Sequence, residues 1–190
     1  MNKIINKIIC LYFIACVSTT LKAKEYMSFD LGKASHSQVI SLLKNSNANF
    51  ETDYGYKGYK DLLLIKVNNY NKLSKYGTIS SAWLSFAPDK SLYKFEVTYR
   101  DAGKIFHTFK DALESKYSRI NTSNAGFNKS TTYLDGETKI TLKRNEFGFG
   151  SDQKTSLVYE YKPSLSTVFE MKKLIDKTIS SKNAEKAADL

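Results

Sequence analysis

A change of hydrophobic period near residue 100 constrains the fold of this chain more than any other feature of its sequence. From Leu92 to Arg100 apolar and polar residues alternate, with Tyr93, Phe95, Val97 and Tyr99 on one side. This alternation predicts a strand with one buried and one solvated face, as in an antiparallel sheet. Apolar residues then recur at helical spacing, at Ile105, Phe106, Phe109, Ala112, Leu113 and Tyr117. The segment therefore predicts a strand followed by an amphipathic helix that covers the sheet, with Asp101 as the helix cap.

The same two patterns place the other elements. We expect strands near 62–67, 79–86, 92–99, 138–143 and 156–161, and helices near 36–44, 104–117 and 165–179. Asp135-Gly136 predicts a hairpin turn, and Phe147–Gly150 a glycine-rich loop or bulge. The order β-α-β-β-β-β-α, then β-β-β-α, predicts an α+β fold in which helices pack on one face of an antiparallel sheet. The expected core comprises Leu42, Leu64, Leu84, Phe95, Val97, Phe106, Phe109, Leu113, Ile140, Leu142, Tyr159 and Ile175.

The first 23 residues have the organisation of a cleaved signal peptide. Lys3 and Lys7 precede the uncharged run 8–17, which as a helix would span roughly 15 Å, half of a ~30 Å hydrocarbon core. Ala23 offers a small residue for cleavage, so we expect a periplasmic or secreted protein. An alternative reading is open, because Phe13-Ile14-Ala15-Cys16 is close to a bacterial lipobox. Lipidation of Cys16 would make the protein a membrane-anchored lipoprotein, and membrane contact is expected only in that case.

Residues 24–180 are expected to form a single α+β domain. The polar stretch 119–130 is a possible internal boundary, and 181–190 a flexible tail, since apolar spacing fades there. Both cysteines, Cys10 and Cys16, lie in the signal, so the exported domain has no disulfide or thiolate chemistry.

The charge of the chain points to anionic partners. The full chain carries 29 basic and 19 acidic residues, a net charge of +10. Removal of the signal takes Lys3, Lys7 and Lys22 and leaves 26 basic residues against 19 acidic ones, a net of +7. Arginine, which suits bidentate phosphate recognition, occurs only at positions 100, 119 and 144. Specific nucleic-acid binding is therefore not expected, and the partner class is an acidic protein or an anionic envelope component.

Catalytic and metal-binding patterns do not stand out. The two histidines, His36 and His107, have no metal-ligand spacing with each other or with a carboxylate, so neither a metal nor a cofactor is expected. The leading interpretation is a non-enzymatic binding module. The alternative is a cell-envelope hydrolase whose site is assembled from Ser, Asp and Glu residues, with carboxylates drawn from Glu96, Asp101, Asp135, Glu137 and Glu160.

One loop carries the residue types of a binding surface. Gly55 and Gly58 flank Lys57 and indicate a loop or hairpin tip. Tyrosine offers large contact area at low entropy, and lysine adds attraction to acidic groups. The predicted binding residues are Tyr54, Tyr56, Lys57, Tyr59 and Lys60. The sequence leaves open whether these tyrosines instead pack back on the sheet.

Overall fold

In the computed structural model, which describes residues 25–188, eight strands form one antiparallel sheet. The chain starts with a small hairpin, β1 (Glu25–Tyr26) and β2 (Phe29–Asp30), followed by helix α1 (His36–Asn45). The first meander is β3 (Asn49–Tyr56), β4 (Tyr59–Asn69), β5 (Ile79–Phe86) and β6 (Leu92–Arg100), with the short helix α2 (Asn71–Ser74) between β4 and β5. Helix α3 (Lys104–Glu114) leads to the second meander, β7 (Ser118–Ala125), β8 (Asn128–Asp135), β9 (Thr138–Asn145) and β10 (Lys154–Tyr161). Helix α4 (Leu165–Ala188) follows. The predicted signal and Cys16 lie outside the described residues.

The two meanders meet at their last strands. The strand order is β3-β4-β5-β6-β10-β9-β8-β7, so β6 and β10 are central neighbours. Val97 lies opposite Leu157 in this pair. Each meander is preceded by a helix, α1 or α3, and the sheet therefore joins two α-β-β-β-β units through antiparallel pairing.

The main core lies between one face of the sheet and helices α1 and α3. Phe95, Val97 and Tyr99, which the alternation predicted to be buried, are fully covered there. The cap of α1 is Ser35, whose side chain accepts a hydrogen bond from the Gln38 amide in a capping box. The predicted core is largely confirmed, except that Leu42 and Leu64 are only half-buried.

The prediction that all helices pack on one face is wrong, because α4 lies against the other face. Adjacent residues of β4 point to opposite faces, and Leu63 packs against the main core while Leu62 belongs to a second cluster with Val168 and Ile175 of α4. Tyr93 also belongs to this second cluster, not to the side of Phe95, since the β5–β6 register shifts beside it.

The second meander has four strands, one more than predicted. The polar stretch considered as a boundary, 119–130, forms the β7–β8 hairpin at one edge of the sheet. Helix α4 continues to Ala188, through most of the segment expected to be a tail. Within residues 25–188, no helix combines the length and the apolar character needed to cross a membrane.

Candidate functional site

Three phenylalanine side chains project into solvent at one end of the second meander. Phe127 is 60%, Phe147 69% and Phe149 92% exposed. Phenylalanine is normally among the most buried residue types, so a cluster of exposed rings is informative. We call these three residues the aromatic tip.

The turn between β7 and β8 carries the first ring. Ala125 pairs with Asn128, which leaves only Gly126 and Phe127 in the loop. Gly126 has a φ of 57°, in the left-handed region that suits glycine in a two-residue hairpin turn. The Phe127 ring packs edge-on against Phe147, with ring centroids 5.8 Å apart. The two loops of the tip are therefore in direct contact.

Hydrogen bonds from Arg144, a buried residue of β9, support the loop that carries Phe147 and Phe149. The Arg144 Nε donates to Glu146 Oε1 at 2.9 Å, and its Nη2 donates to Gln153 Oε1 at 2.8 Å. Gln153 Nε2 in turn donates to the backbone carbonyls of Glu146 and Gly148, each at 3.3 Å. These bonds hold both ends of the loop and present the rings on an ordered backbone.

Glu146 is a second anchor of the same loop. Lys129 Nζ lies 2.9 Å from its Oε1, the oxygen that Arg144 also contacts. The hydrogen bond from Lys129 and that from Arg144 hold the pKa of Glu146 below its ordinary value. The backbone amide of Glu146 donates to the carbonyl of Phe127 at 2.8 Å, which ties this anchor to the β7–β8 turn.

The buried carboxylate of Asp101 fixes the start of α3 beneath the tip. It accepts hydrogen bonds from the amides of Ile105 and Phe106 and from the Thr155 hydroxyl. Asp101 therefore satisfies the first amides of α3 as predicted, although the N-cap position itself is Gly103. Arg144 Nη1 lies 3.7 Å from Asp101 Oδ2. A Cβ on Gly103 would lie 2.7 Å from that same nitrogen, and the φ of 121° at this position also favours glycine.

Beside the aromatic tip, an open groove of about 330 Å³ runs over the sheet. Its lining includes Ser123, Ser130, Lys143, Asn145, Lys154 and Ser156. Strand pairing aligns four of these residues in one row across the sheet. Ser123 of β7 lies opposite Ser130 of β8, Ser130 lies opposite Lys143 of β9, and Lys143 lies opposite Ser156 of β10. A row of hydroxyl and ammonium donors therefore occupies one face of four neighbouring strands.

Two cations of this region face each other on the central strands. Lys154 of β10 lies opposite Arg100 of β6, and both are exposed. Like charges directly opposite each other in a sheet are destabilising. Within residues 25–188, no carboxylate pairs with Arg100, Lys143 or Lys154. We call Arg100, Lys143 and Lys154 the basic groove residues: Lys143 and Lys154 line the groove, and Arg100 is the strand partner of Lys154 beside it. Their arrangement favours an anionic ligand.

The tyrosine-lysine loop predicted to bind a partner is the β3–β4 hairpin. Lys57 and Gly58 form its turn, both with positive φ. Tyr56 and Tyr59 pack against the apolar cluster under α4, and Lys57 Nζ lies 2.8 Å from Asp176 Oδ1 of that helix. The structure thus brings three of the predicted residues together beside α4.

The other two residues of that prediction have different partners. The Tyr54 hydroxyl donates to Glu51 at 2.5 Å, and its ring packs edge-on against Trp83 at 5.2 Å. Lys60 Nζ contacts Asp53 Oδ1 at 2.5 Å.

The carboxylates considered for a hydrolase are separately engaged. Glu96 pairs with Lys94 at 2.8 Å and Glu160 with Lys139 at 2.6 Å. Asp135 and Glu137 accept hydrogen bonds from the hydroxyls of Tyr26 and Tyr161 respectively, and Asp101 caps α3. In the part of the chain that the structure describes, no three His, Cys, Asp or Glu residues are grouped to hold a metal.

Sequence reasoning missed both the aromatic tip and the basic groove residues. The available signal was Phe147-Gly148-Phe149-Gly150, because aromatic rings in a glycine-rich loop have no periodic face through which to be buried. The contact between Phe127 and Phe147 depends on strand pairing, which that segment does not reveal. Searches of protein-family models, of curated proteins and of solved structures give no match to this chain.

Proposed function

We propose that this protein is an exported, non-enzymatic binding module that attaches to an anionic partner through the basic groove residues and the adjacent aromatic tip. The observation that carries the proposal is the direct opposition of Lys154 and Arg100 on the two central strands. A pair of like charges in this position lowers stability by about 0.2–1 kcal/mol, and a bound anion relieves the repulsion.

The surroundings of this pair support the same role. Lys143 lies on the strand beside β10, opposite Ser156, so a third cation borders the same row of hydroxyl groups. Serine hydroxyls and lysine ammonium groups both donate hydrogen bonds to carboxylate or phosphate oxygens. Three acidic residues near the tip, Asp101, Glu146 and Asp152, do not line this groove.

The experiment measures binding to soluble poly-L-glutamate by fluorescence anisotropy at several salt concentrations. The test variant is Lys143→Gln with Lys154→Gln. The matched control is Lys173→Gln with Lys177→Gln, which removes the same charge from exposed positions on α4. We expect the groove variant to bind roughly tenfold more weakly, about 1.4 kcal/mol, and the control to bind as the wild type does.

Added salt should weaken binding of the wild type, because exposed charges are screened over about 8 Å at physiological ionic strength. Equal loss in both double variants would show that net charge alone governs attachment, and it would overturn the assignment to the groove. Absence of any binding to the polyanion would overturn the proposed function.

Export is part of the proposal and rests on residues 1–23. N-terminal sequencing of the protein recovered from the cell envelope should begin at Lys24. A blocked N-terminus with partition into detergent would contradict this cleavage and support lipidation at Cys16.

A further inference from the structure

We propose that the anionic partner is a lipid bilayer, and that Phe127, Phe147 and Phe149 insert into its interfacial region while the basic groove residues contact anionic headgroups. This inference rests on the proposed function and names its ligand. It also gives the chain a route to membranes that does not depend on Cys16.

The apolar part of the argument is the exposure of the aromatic tip. Burial of a phenylalanine side chain is favourable relative to leaving it in water, because apolar surface is removed from the solvent. At 60%, 69% and 92% exposure, Phe127, Phe147 and Phe149 retain most of this free energy for a partner. Aromatic side chains are characteristic of proteins that bury a small apolar surface a few ångströms into the headgroup region.

The shape of the aromatic tip favours a bilayer over a protein. The rings stand on two adjoining loops, the Gly126–Phe127 turn and the loop after β9, and so form a protrusion and not a pocket. A protein partner would need a complementary cavity, whereas the bilayer interface accepts a protruding apolar group without one. The Arg144 bracing orders the loop in advance, which reduces the entropy lost when the rings insert.

Charge complementarity identifies the lipid class. Arg100, Lys143 and Lys154 lie at the end of the sheet that carries the aromatic tip, since Arg100 ends β6, Lys154 begins β10 and Lys143 is two residues before the end of β9. A lysine or arginine near an anionic membrane is attracted to the negative surface potential of that membrane. Anionic headgroups would also separate the like charges of Lys154 and Arg100. We therefore expect binding to anionic bilayers and little binding to zwitterionic ones.

The experiment is co-sedimentation of the purified protein with vesicles of phosphatidylcholine alone or of phosphatidylcholine with phosphatidylglycerol. The test variant is Phe147→Ala with Phe149→Ala. The matched control is Phe169→Ala, which removes another exposed ring, 64% accessible, from α4. We expect the wild type and the control to sediment only with the anionic vesicles, and the affinity of the test variant to fall at least roughly tenfold.

Insertion itself is measured by tryptophan fluorescence. Phe149→Trp should show a blue shift on addition of anionic vesicles, whereas Phe169→Trp should not. Equal shifts at the two positions, or none at position 149, would overturn insertion of the aromatic tip.

The remaining outcomes separate this inference from the proposed function. Retained binding to poly-L-glutamate with no sedimentation on anionic vesicles would overturn the lipid assignment and leave an acidic protein as the partner. Loss of both interactions would overturn both proposals. A wild-type dimer that becomes monomeric in the Phe147→Ala, Phe149→Ala variant, measured by light scattering, would show that the tip is a contact between copies and would also overturn lipid insertion.

Discussion

Arg144 on β9 donates a 2.8 Å hydrogen bond to Gln153, the residue just before β10. This bond joins the two ends of the loop between β9 and β10. The Gln153 side-chain amide also donates hydrogen bonds to the backbone carbonyls of Glu146 and Gly148. A single amide side chain thus connects a buried cation to the backbone that presents the aromatic tip.

Gln153→Ala should lower the free energy of unfolding by about 1–3 kcal/mol, because it leaves a buried Arg144 donor without its partner. Hydrogen exchange of the amides from Phe147 to Gly150 should also become faster. Urea titration and native-state exchange measure the two effects. Unchanged exchange in this loop would contradict the bracing role of Gln153.

The two glycines of the β3–β4 hairpin should differ sharply in their tolerance of alanine. A Cβ on Gly55 would lie 2.1 Å from the carbonyl oxygen of Tyr59, whereas a Cβ on Gly58 would meet nothing within 4 Å. Gly58 has a φ of 86°, so alanine there is disfavoured by the backbone conformation alone.

We expect Gly58→Ala to lower the free energy of unfolding by about 1–2 kcal/mol and Gly55→Ala to lower it clearly more. The reason is that relief of a backbone clash requires movement of the strand pair. Chemical denaturation of the two variants under the same conditions tests the difference. Similar losses would show that the hairpin relaxes around residue 55 without resistance.

Asp101 should make stability dependent on pH in the acid range. Burial raises the pKa of its carboxyl, but hydrogen bonds from Thr155 and from the first amides of α3 outweigh burial and hold the pKa below its ordinary value. A folded-state pKa below the unfolded one stabilises the protein above the unfolded value of about 3.9, and this stabilisation is lost as pH falls through the folded value.

Asp101→Asn retains a capping oxygen but removes the charge. The wild type should therefore be more stable than this variant at pH 7, and the difference should shrink as the pH falls below about 4. Urea titrations over a pH series give the comparison. A difference that stays constant from neutral to acid pH would contradict the role assigned to the Asp101 charge.

The elements that the sequence predicted best are those with one buried face and one solvent-exposed face. Alternation over residues 92–100 and helical spacing after Lys104 correspond closely to β6 and α3. Strand β7 was missed because every residue from Ser118 to Ala125 is exposed, so no hydrophobic period marks it. Its strand conformation depends on pairing with β8, a tertiary interaction that overrides local preference.

The face of α4 was mispredicted although a signal was present. The run from Leu62 to Val67 is nearly continuously apolar, a pattern typical of a strand covered on both sides. Leu62 packs under α4 and Leu63 packs against the main core, so the apolar run reflects burial on both faces of β4. The candidate site is harder to predict, because the opposition of Lys154 and Arg100 depends on the register of β10 against β6.

The binding role predicted for the Tyr54–Lys60 hairpin stays a prediction, and its two central tyrosines provide the test. Tyr56 and Tyr59 pack against the cluster of Leu62 and Val168, and Lys172 Nζ lies 5.0 Å from the centre of the Tyr56 ring.

Because the rings are half-buried, Tyr56→Ala with Tyr59→Ala should lower the free energy of unfolding by about 2–4 kcal/mol, less than complete loss of two core aromatics. The matched variant Tyr56→Phe with Tyr59→Phe keeps the packing and should retain nearly the wild-type stability. Thermal denaturation and poly-L-glutamate binding of both variants separate the roles. Unchanged stability with weakened binding in the alanine variant would make the hairpin the partner surface, because its rings would then contribute to the complex and not to the attachment of α4.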